Sequence, residues 1–379
     1  MTSTLRALPV PAGPSVLDIL DHLRDALADK GPALLPVPAQ DARETARLTT
    51  ALGAGEPIAD GVAIVVATSG TTGTPKGAQL SAAALRASGN ATHARLGGPG
   101  SWLLALPAQH VAGLQILLRS ILAETFPTVL DVSDGFDPAD LIAAVSAMPG
   151  PRRYTSLVPT QLIKTLDHDD ATAALATLDA VMIGGAAIPK SLLTQAQSAG
   201  ITIVRTYGMS ETCGGCVYDG VPLDGATLRI DEGRVLLGGS MLASGYRGMP
   251  EHPAFAEPGW FRTDDAGSVT DGVLTVHGRL DEGISTGGLT VIPQVVEAVL
   301  GTHPDVRQCA VFGVPDERLG ERVVAAVVSR DPALTVADLR RHVEAELDPT
   351  AAPREIRLLD ELPLRGPGKV DKRALRELF

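Results

Sequence analysis

Thr68-Ser69-Gly70-Thr71-Thr72-Gly73-Thr74-Pro75-Lys76-Gly77 is the stretch whose reading decides the fold. The β-branched run Val62 to Val66 before it reads as a buried strand, and the patterned segment Ser81 to Arg95 after it reads as a helix. Five hydroxyls, three glycines and one lysine therefore occupy a loop leaving the carboxyl end of a strand. Glycines let backbone N–H groups approach an anion, hydroxyls donate to its oxygens, and lysine compensates its charge. That combination is a phosphate cradle. It is not a Walker A loop, which sets Lys-Ser/Thr directly on a helix. Here Lys76 lies between Pro75 and Gly77, and a P-loop kinase or GTPase is disfavoured.

Outward from this loop, the chain alternates short apolar runs with helical patterns. Leu103 to Leu106 precedes a helix from Val111 to Ala123, and Thr128 to Val132 precedes Pro138 to Ala147. Thr155 to Val158 precedes Thr160 to Leu166, and Ala180 to Ile183 precedes Pro189 to Ala199, with Thr202 to Thr206 following. Such alternation predicts parallel α/β layers with helices on both faces. Upstream, Ser15 to Ala28 reads as an amphipathic helix with a Ser15…Asp18 cap, joined to the Val62 strand by a Pro/Ala/Gly-rich connection. After Tyr218, short strands with glycine turns predict a β-rich unit. Gly278-Arg279-Leu280-Asp281 reads as a boundary, giving domains of residues 1–279 and 280–379, the latter a small α+β domain.

Composition narrows the function classes. The 379 residues exceed one ordinary core, so two domains are expected. Thirty-two basic against 44 acidic residues leave a net charge of −12, with no Lys/Arg-rich block. That argues against nucleic acid or an anionic membrane surface as partner. No apolar run reaches membrane-span length and residues 1–15 lack a signal-peptide core, so a cytoplasmic protein is expected. Cys213-Gly-Gly-Cys216 has redox or half-zinc spacing, but no second ligand pair accompanies it.

Further stretches place chemistry-bearing residues at strand ends. Leu106-Pro107-Ala108-Gln109-His110-Val111 sets a histidine at a strand-to-helix junction, where a lone histidine is more often structural than catalytic. Ile183-Gly184-Gly185-Ala186 ends a strand in glycines at a helix start, and Tyr207-Gly208-Met209-Ser210-Glu211 follows the last parallel strand. Thr263-Asp264-Asp265-Ala266-Gly267, the boundary motif with Arg279 and Asp281, Ser285-Thr286-Gly287-Gly288, and Gly366-Pro367-Gly368-Lys369 complete the series.

Together these motifs resemble, in order and from Val62 to Lys369, the adenylate-forming superfamily of acyl-CoA ligases, luciferases and peptide-synthetase adenylation domains. The resemblance implies an α/β fold: a large N-terminal domain of stacked α/β sheet layers plus a β-rich unit, with a mobile C-terminal domain. It implies ATP, Mg²⁺ and CoA as cofactors and co-substrates, and a small-molecule carboxylic acid as substrate. Thr68, Ser69, Gly70, Thr71, Thr72, Gly73 and Lys76 would hold phosphates. Gly184, Gly185 and Ala186 would lie against adenine, on which Tyr207, next to Gly208, would stack. Ser210 would donate to the α-phosphate and Glu211 would carry Mg²⁺. His110 would sit beside the reacting carboxylate, and Asp265 would accept from both ribose hydroxyls. Arg279 would touch ribose or phosphate, Asp281 would be the hinge, Gly287 and Gly288 would line a pantetheine tunnel, and Lys369 would be the catalytic lysine. Asp264 stands where the family has glycine, and Ser210 where it has threonine.

Within the superfamily, the short chain together with LPAQHVAGLQILLRS, TSLVPTQL and STGGLTVIPQVV looks most like the o-succinylbenzoate–CoA ligases. Their substrate carries a second, unreacted carboxylate, for which Gln109 and Arg119 are the candidates. Another aryl- or acyl-CoA ligase, a carrier-loading adenylation enzyme and a nucleotide-binding regulator remain alternatives. The resemblance also allows a homodimer.

Overall fold

The glycine–threonine stretch joins two antiparallel strands rather than a strand and a helix. The structure, a computed structural model, describes residues 3–68, 75–365 and 369–379. Strands β1 (Leu5–Val10), β2 (Ala33–Pro38), β3 (Ile64–Thr68) and β4 (Lys76–Leu80) form one sheet in that order. β1, β2 and β3 run parallel, whereas β4 returns antiparallel with Lys76 opposite Thr68. The helix Ala82–Arg95 starts only after this extra strand, capped by the Ser81 hydroxyl.

The Pro/Ala/Gly-rich connection also holds structure that its composition conceals. Pro9, Pro36 and Pro38 argue against strands. They are accommodated because β1 is the sheet edge and β2 meets β3 only through Leu34 and Ile64. A helix, Ala42–Ala51, follows with Asp41 as its cap; it buries Leu48 alone, so its apolar stripe is thin. Upstream, the expected Ser15–Asp18 cap does not form. That segment splits into a 3₁₀ helix, Gly13–Ile19, and an α-helix, Leu20–Leu27.

A seven-stranded sheet follows, of β5 (Ser101–Leu104), β6 (Thr128–Val129), β7 (Arg153–Leu157), β8 (Ala180–Ile183), β9 (Ile203–Met209), β10 (Gly214–Tyr218) and β11 (Val221–Pro222). Its order is β11-β10-β9-β8-β7-β5-β6, parallel except where β10 pairs with β9 and β11. Trp102, Leu103, Tyr154 and Val181 are fully buried on it. A short helix, Asp169–Leu175, interrupts what reads as a connection.

Strands β12 (Ala226–Asp231), β13 (Arg234–Gly239), β14 (Trp260–Thr270) and β15 (Val273–Arg279) make the β-rich part. The acidic centre of β14 hides it from a propensity reading.

The chain forms two compact units: Met1–Gly185, Ala196–Arg229 and Leu236–Arg262; and Ala186–Gln195, Ile230–Val235 and Thr263–Phe379. In the second, β16 (Ile284–Thr286), β17 (Leu289–Val291), β18 (Val306–Asp316) and β19 (Gly320–Ser329) form a sheet ordered β17-β16-β19-β18, with β20 (Glu355–Leu358) beside β19. Val323, Ala325 and Val327 bury against the helices Pro293–Leu300 and Val336–Glu346, while Val324, Ala326 and Val328 bury on the opposite face. Both faces are covered, so β19 reads as one continuous apolar run. β21 (Leu364–Arg365) and β22 (Lys369–Val370) make a small hairpin before the last helix, Lys372–Arg376. No helix among the described residues is long and apolar enough to cross a membrane.

Candidate active site

β5, β7, β8 and β9 run parallel, so the segments that follow them leave from one edge of the sheet. In open α/β sheets that carboxyl edge is where ligands bind. Three of the singled-out motifs meet there. Gln109 and His110 follow β5, both half-buried, with His110 at the N-terminus of the helix Val111–Leu122. Gly184 and Gly185 follow β8, while Tyr207 and Gly208 end β9 and Ser210-Glu211 turns away from it in a 3₁₀ helix.

Two of these glycines have a packing reason beyond any ligand. A Cβ on Gly184 would lie 2.4 Å from the Thr206 hydroxyl oxygen. Gly208, at φ +157, would put a Cβ 2.1 Å from the Gly214 carbonyl oxygen, where β9 and β10 press together. Ser69, Gly70, Thr71, Thr72 and Gly73 lie outside the described residues.

Cys213 and Cys216, whose spacing is that of a redox or half-zinc pair, are packed into the core at 0% and 2% exposure. Burial pushes both thiols up, that of Cys216 to about 11. Inert buried thiols, not a redox pair, result.

Glu211 and Lys76 come together through residues that the sequence reading passed over. Glu211 is buried, and its Oε1 accepts a 2.5 Å hydrogen bond from the Tyr246 hydroxyl. The Lys76 ammonium lies 5.2 Å from the centre of the Tyr246 ring and 3.1 Å from His252 Nε2. The segment carrying Tyr246 is stitched to both. Ala243 N–H donates to the Glu211 carbonyl (2.8 Å) and Arg247 N–H to that of Gly77 (2.7 Å). A buried, oriented carboxylate fits Mg²⁺, which takes one or two carboxylates and completes its shell with phosphate oxygens. Among the described residues no cluster of three acidic, histidine or cysteine side chains would hold a metal by itself.

Arg119 is the most unusual charge in the first unit. It projects from the helix Val111–Leu122 with 3% exposure. Its guanidinium lies 3.4 Å from the Tyr218 hydroxyl, 3.7 Å from Met182 Sδ and 5.1 Å from the Trp102 ring centre. Arg119 Nε has no hydrogen-bond partner, and no carboxylate among the described residues pairs with it. Burial lowers its proton affinity, against which Tyr218 works in the opposite direction. One turn earlier, Gln115 donates to the Cys213 carbonyl while its buried Oε1 is unpartnered. Sequence reasoning missed Gln115 because it reads as one polar position on an apolar helix. His93, buried nearby against Trp102, has its proton affinity cut to about 4 by burial and then by the Arg119 charge.

The second unit carries the remaining candidates. Asp265 and Arg279 face each other across β14 and β15, with Arg279 Nη1 3.7 Å from Asp265. The Arg279 guanidinium forks onto Asp281 at 2.8 and 2.7 Å and lies 3.6 Å from Asp264. Burial opposes its charge, yet the hydrogen bonds to Asp281 and the charges of Asp281, Asp265 and Asp264 hold its pKa above the ordinary range. Asp264 therefore serves Arg279 and Arg234, which is 3.2 Å from it. Gly287 and Gly288 form the two-residue turn between β16 and β17, with φ of +60 and +84. Such a turn requires positive φ at both positions, a reason for the pair of glycines that needs no channel. Ala186 is exposed, and Lys369 opens β22 with its side chain exposed. Three residues on, Lys372 bridges Glu282 (2.9 Å) and Glu297 (3.1 Å).

This fold and these motifs define a class. The model of the AMP-binding enzyme family matches residues 14–243, and that of the AMP-binding enzyme C-terminal domain matches residues 295–369. The chain belongs to the AMP-binding, adenylate-forming enzyme family. Among its relatives, a probable 2-succinylbenzoate–CoA ligase of Mycobacterium tuberculosis is 57% identical over 381 residues, covering 99% of this chain and 98% of the relative. A single-substitution variant of Escherichia coli MenE with bound OSB-AMS superposes with a TM-score of 0.79 at 26% identity, covering 100% of this chain and 88% of that one. ATP-bound MatB from Rhodopseudomonas palustris has the same fold, with a TM-score of 0.82 at 22% identity and 100% and 89% coverage.

Proposed function

We propose that this enzyme activates o-succinylbenzoate with ATP and transfers the acyl group to CoA, as a step of menaquinone biosynthesis. The observation that carries the substrate assignment is Arg119, a buried cation with no carboxylate of the described residues beside it. An uncompensated buried charge is costly, and a ligand carboxylate is the group that would offset it. The near full-length similarity to a probable 2-succinylbenzoate–CoA ligase supports the same reading.

The chemistry joins two anions. One carboxylate of the acid attacks the α-phosphorus of ATP, pyrophosphate leaves, and an acyl-adenylate forms. Lys76 and the loop hydroxyls would hold the phosphates while Ser210 donates to the α-phosphoryl oxygen on which charge grows. Mg²⁺, held on Glu211 when bound, supplies charge neutralisation for the phosphates. Tyr207 would stack on adenine beside Gly184, Gly185 and Ala186. Asp265 would accept from the ribose hydroxyls, with Arg279 adjoining. His110 would border the reacting carboxylate and Gln109 the far end of the acid. The CoA thiol then attacks the activated carbonyl and AMP departs. For the two half-reactions we propose residues 280–379 as a mobile domain turning at Asp281. Lys369 would serve adenylation, and the Gly287-Gly288 hairpin the CoA step. We also place the enzyme in the cytoplasm, where ATP and CoA are held.

Lys369→Ala should then slow pyrophosphate release by about 100-fold or more and spare thiolation of a supplied acyl-adenylate. Single-turnover assays of each half-reaction check this, and equal loss in both would remove the role. The function itself is tested with ATP, Mg²⁺, CoA and a panel of o-succinylbenzoate, benzoate, a medium-chain fatty acid and several amino acids. An o-succinylbenzoyl-CoA product, and no other CoA adduct, is expected. Pyrophosphate without any CoA adduct would indicate a carrier-loading enzyme instead.

A further inference from the structure

Tyr246 belongs to none of the motifs that define the family resemblance, yet it touches the two groups expected to handle the phosphates. Its hydroxyl donates to Glu211 Oε1 at 2.5 Å, and its ring face receives the Lys76 ammonium. Both ends of the side chain are thus engaged by opposite charges. A neutral phenol is well suited to this. It gives a carboxylate a short, charge-assisted hydrogen bond without neutralising it, and its π-face attracts a cation without pairing it irreversibly.

The ring has little freedom to move. It is 5% exposed and packs edge-on against His252 and Phe255, with centroids 4.7 and 5.2 Å away. Its backbone bridges to Ala78 on β4, two residues from Lys76, and Gln79 N–H donates to the adjoining Gly245 carbonyl. The strand that begins with Lys76, the turn that carries Glu211 and the Tyr246 segment are therefore one hydrogen-bonded assembly. Beside Tyr246, His252 adds a second restraint on Lys76, at 3.1 Å, while its Nδ1 accepts from Ala254 N–H at 3.2 Å.

We infer that Tyr246 is a positioning residue for Mg²⁺–nucleotide binding: its hydroxyl fixes the Glu211 carboxylate in the orientation that receives the metal, and its ring sets Lys76 beside the phosphates. The inference rests on the reading of Glu211 as the Mg²⁺ carboxylate. Ligand-orienting partners of this kind typically change metal affinity by about 10- to 100-fold when removed.

The test compares Tyr246→Phe, which keeps the ring and loses the hydroxyl, with wild type and with Glu211→Gln. Two readouts are used: the Mg²⁺ concentration at half-maximal pyrophosphate release, and the calorimetric Kd of a non-hydrolysable ATP analogue with and without Mg²⁺. In Tyr246→Phe the Mg²⁺ requirement should rise about tenfold, and Kd should weaken with Mg²⁺ present but not in its absence. A purely structural hydroxyl would lower the melting temperature and leave both readouts unmoved, which would overturn the inference. If Glu211→Gln shifts the Mg²⁺ requirement and Tyr246→Phe does not, Tyr246 loses its role while Glu211 keeps its own. If neither shifts it, both assignments fall. Wild type provides a further check that needs no variant, since the chain has four tyrosines. Adding Mg²⁺ to the nucleotide complex should perturb tyrosine absorbance, and an unchanged spectrum would also count against the inference.

Discussion

Arg119 and Arg279 solve opposite problems. Arg119 is buried at 3% exposure among a tryptophan, a tyrosine and a methionine, with no carboxylate among the described residues beside it. Arg279 is partly exposed and sits within reach of Asp264, Asp265 and Asp281. Burial alone drives the first guanidinium's proton affinity down, while three acids hold the second one's up despite its own desolvation. The contrast separates two ways in which a binding protein keeps a cation. Arg279 is satisfied by its own chain, through its fork on Asp281. Arg119 is satisfied by nothing comparable, so the free protein carries an electrostatic cost that an anionic ligand would relieve.

The largest consequence concerns a neighbour of Arg119. His93 has a folded pKa of about 4 against 6.5, because it is buried and faces the Arg119 charge. A base whose folded pKa is depressed stays neutral in the native state while the unfolded chain takes up a proton. Stability is therefore fully present above pH 6.5 and is lost as pH falls from there to about 4. The loss amounts to about 3 kcal/mol. Urea unfolding across that window should show it, and His93→Gln, which keeps an acceptor for Trp102, should flatten the dependence. Arg119→Met should return the His93 pKa part of the way towards normal, as followed by NMR titration.

Next in size is the effect of Arg119→Met on stability at neutral pH. Replacing an unpaired buried charge with an apolar side chain of similar length should stabilise the free enzyme by about 1–2 kcal/mol. A lower melting temperature would mean that the tyrosine and tryptophan contacts already satisfy Arg119. The same change at the other site should run the opposite way. Arg279→Met leaves three carboxylates facing one another and should cost about 1 kcal/mol, discounted for solvent screening. It should also weaken ATP binding, measured by calorimetry. Opposite signs for one substitution at two arginines would uphold the comparison, and equal signs would break it.

Much of this architecture is legible in the sequence where local and tertiary preferences agree. The helices Pro138–Ala147 and Pro293–Leu300 and the strand Ala180–Ile183 fall where their apolar periods place them. Their burial pattern is the pattern of the residues themselves. The first two strands are not legible, because Pro9, Pro36 and Pro38 argue against strands and only the sheet's edge geometry admits them. β4 is hidden by its composition, with Lys76 and Gly77 at its start and Gln79 inside it. The motif residues at the carboxyl edge were readable as contiguous signatures at strand ends. Tyr246 and His252 were not, since they reach Glu211 and Lys76 from 35 and 176 residues away in sequence. Arg119 was readable as a candidate, but its isolation from the carboxylates of the described residues is a property of the folded core alone.

That isolation is the point on which the account rests, and a ratio of two rates tests it most directly. The rates are kcat/KM for CoA ligation of o-succinylbenzoate and of the same keto acid lacking its second carboxylate, in wild type and in Arg119→Met. Wild type should favour the dicarboxylate by about 100-fold, the worth of a charge-assisted pair in a buried site. Arg119→Met should lose most of that preference while still adenylating the monocarboxylate. An unchanged ratio in the variant would contradict the assignment of Arg119 to the second carboxylate.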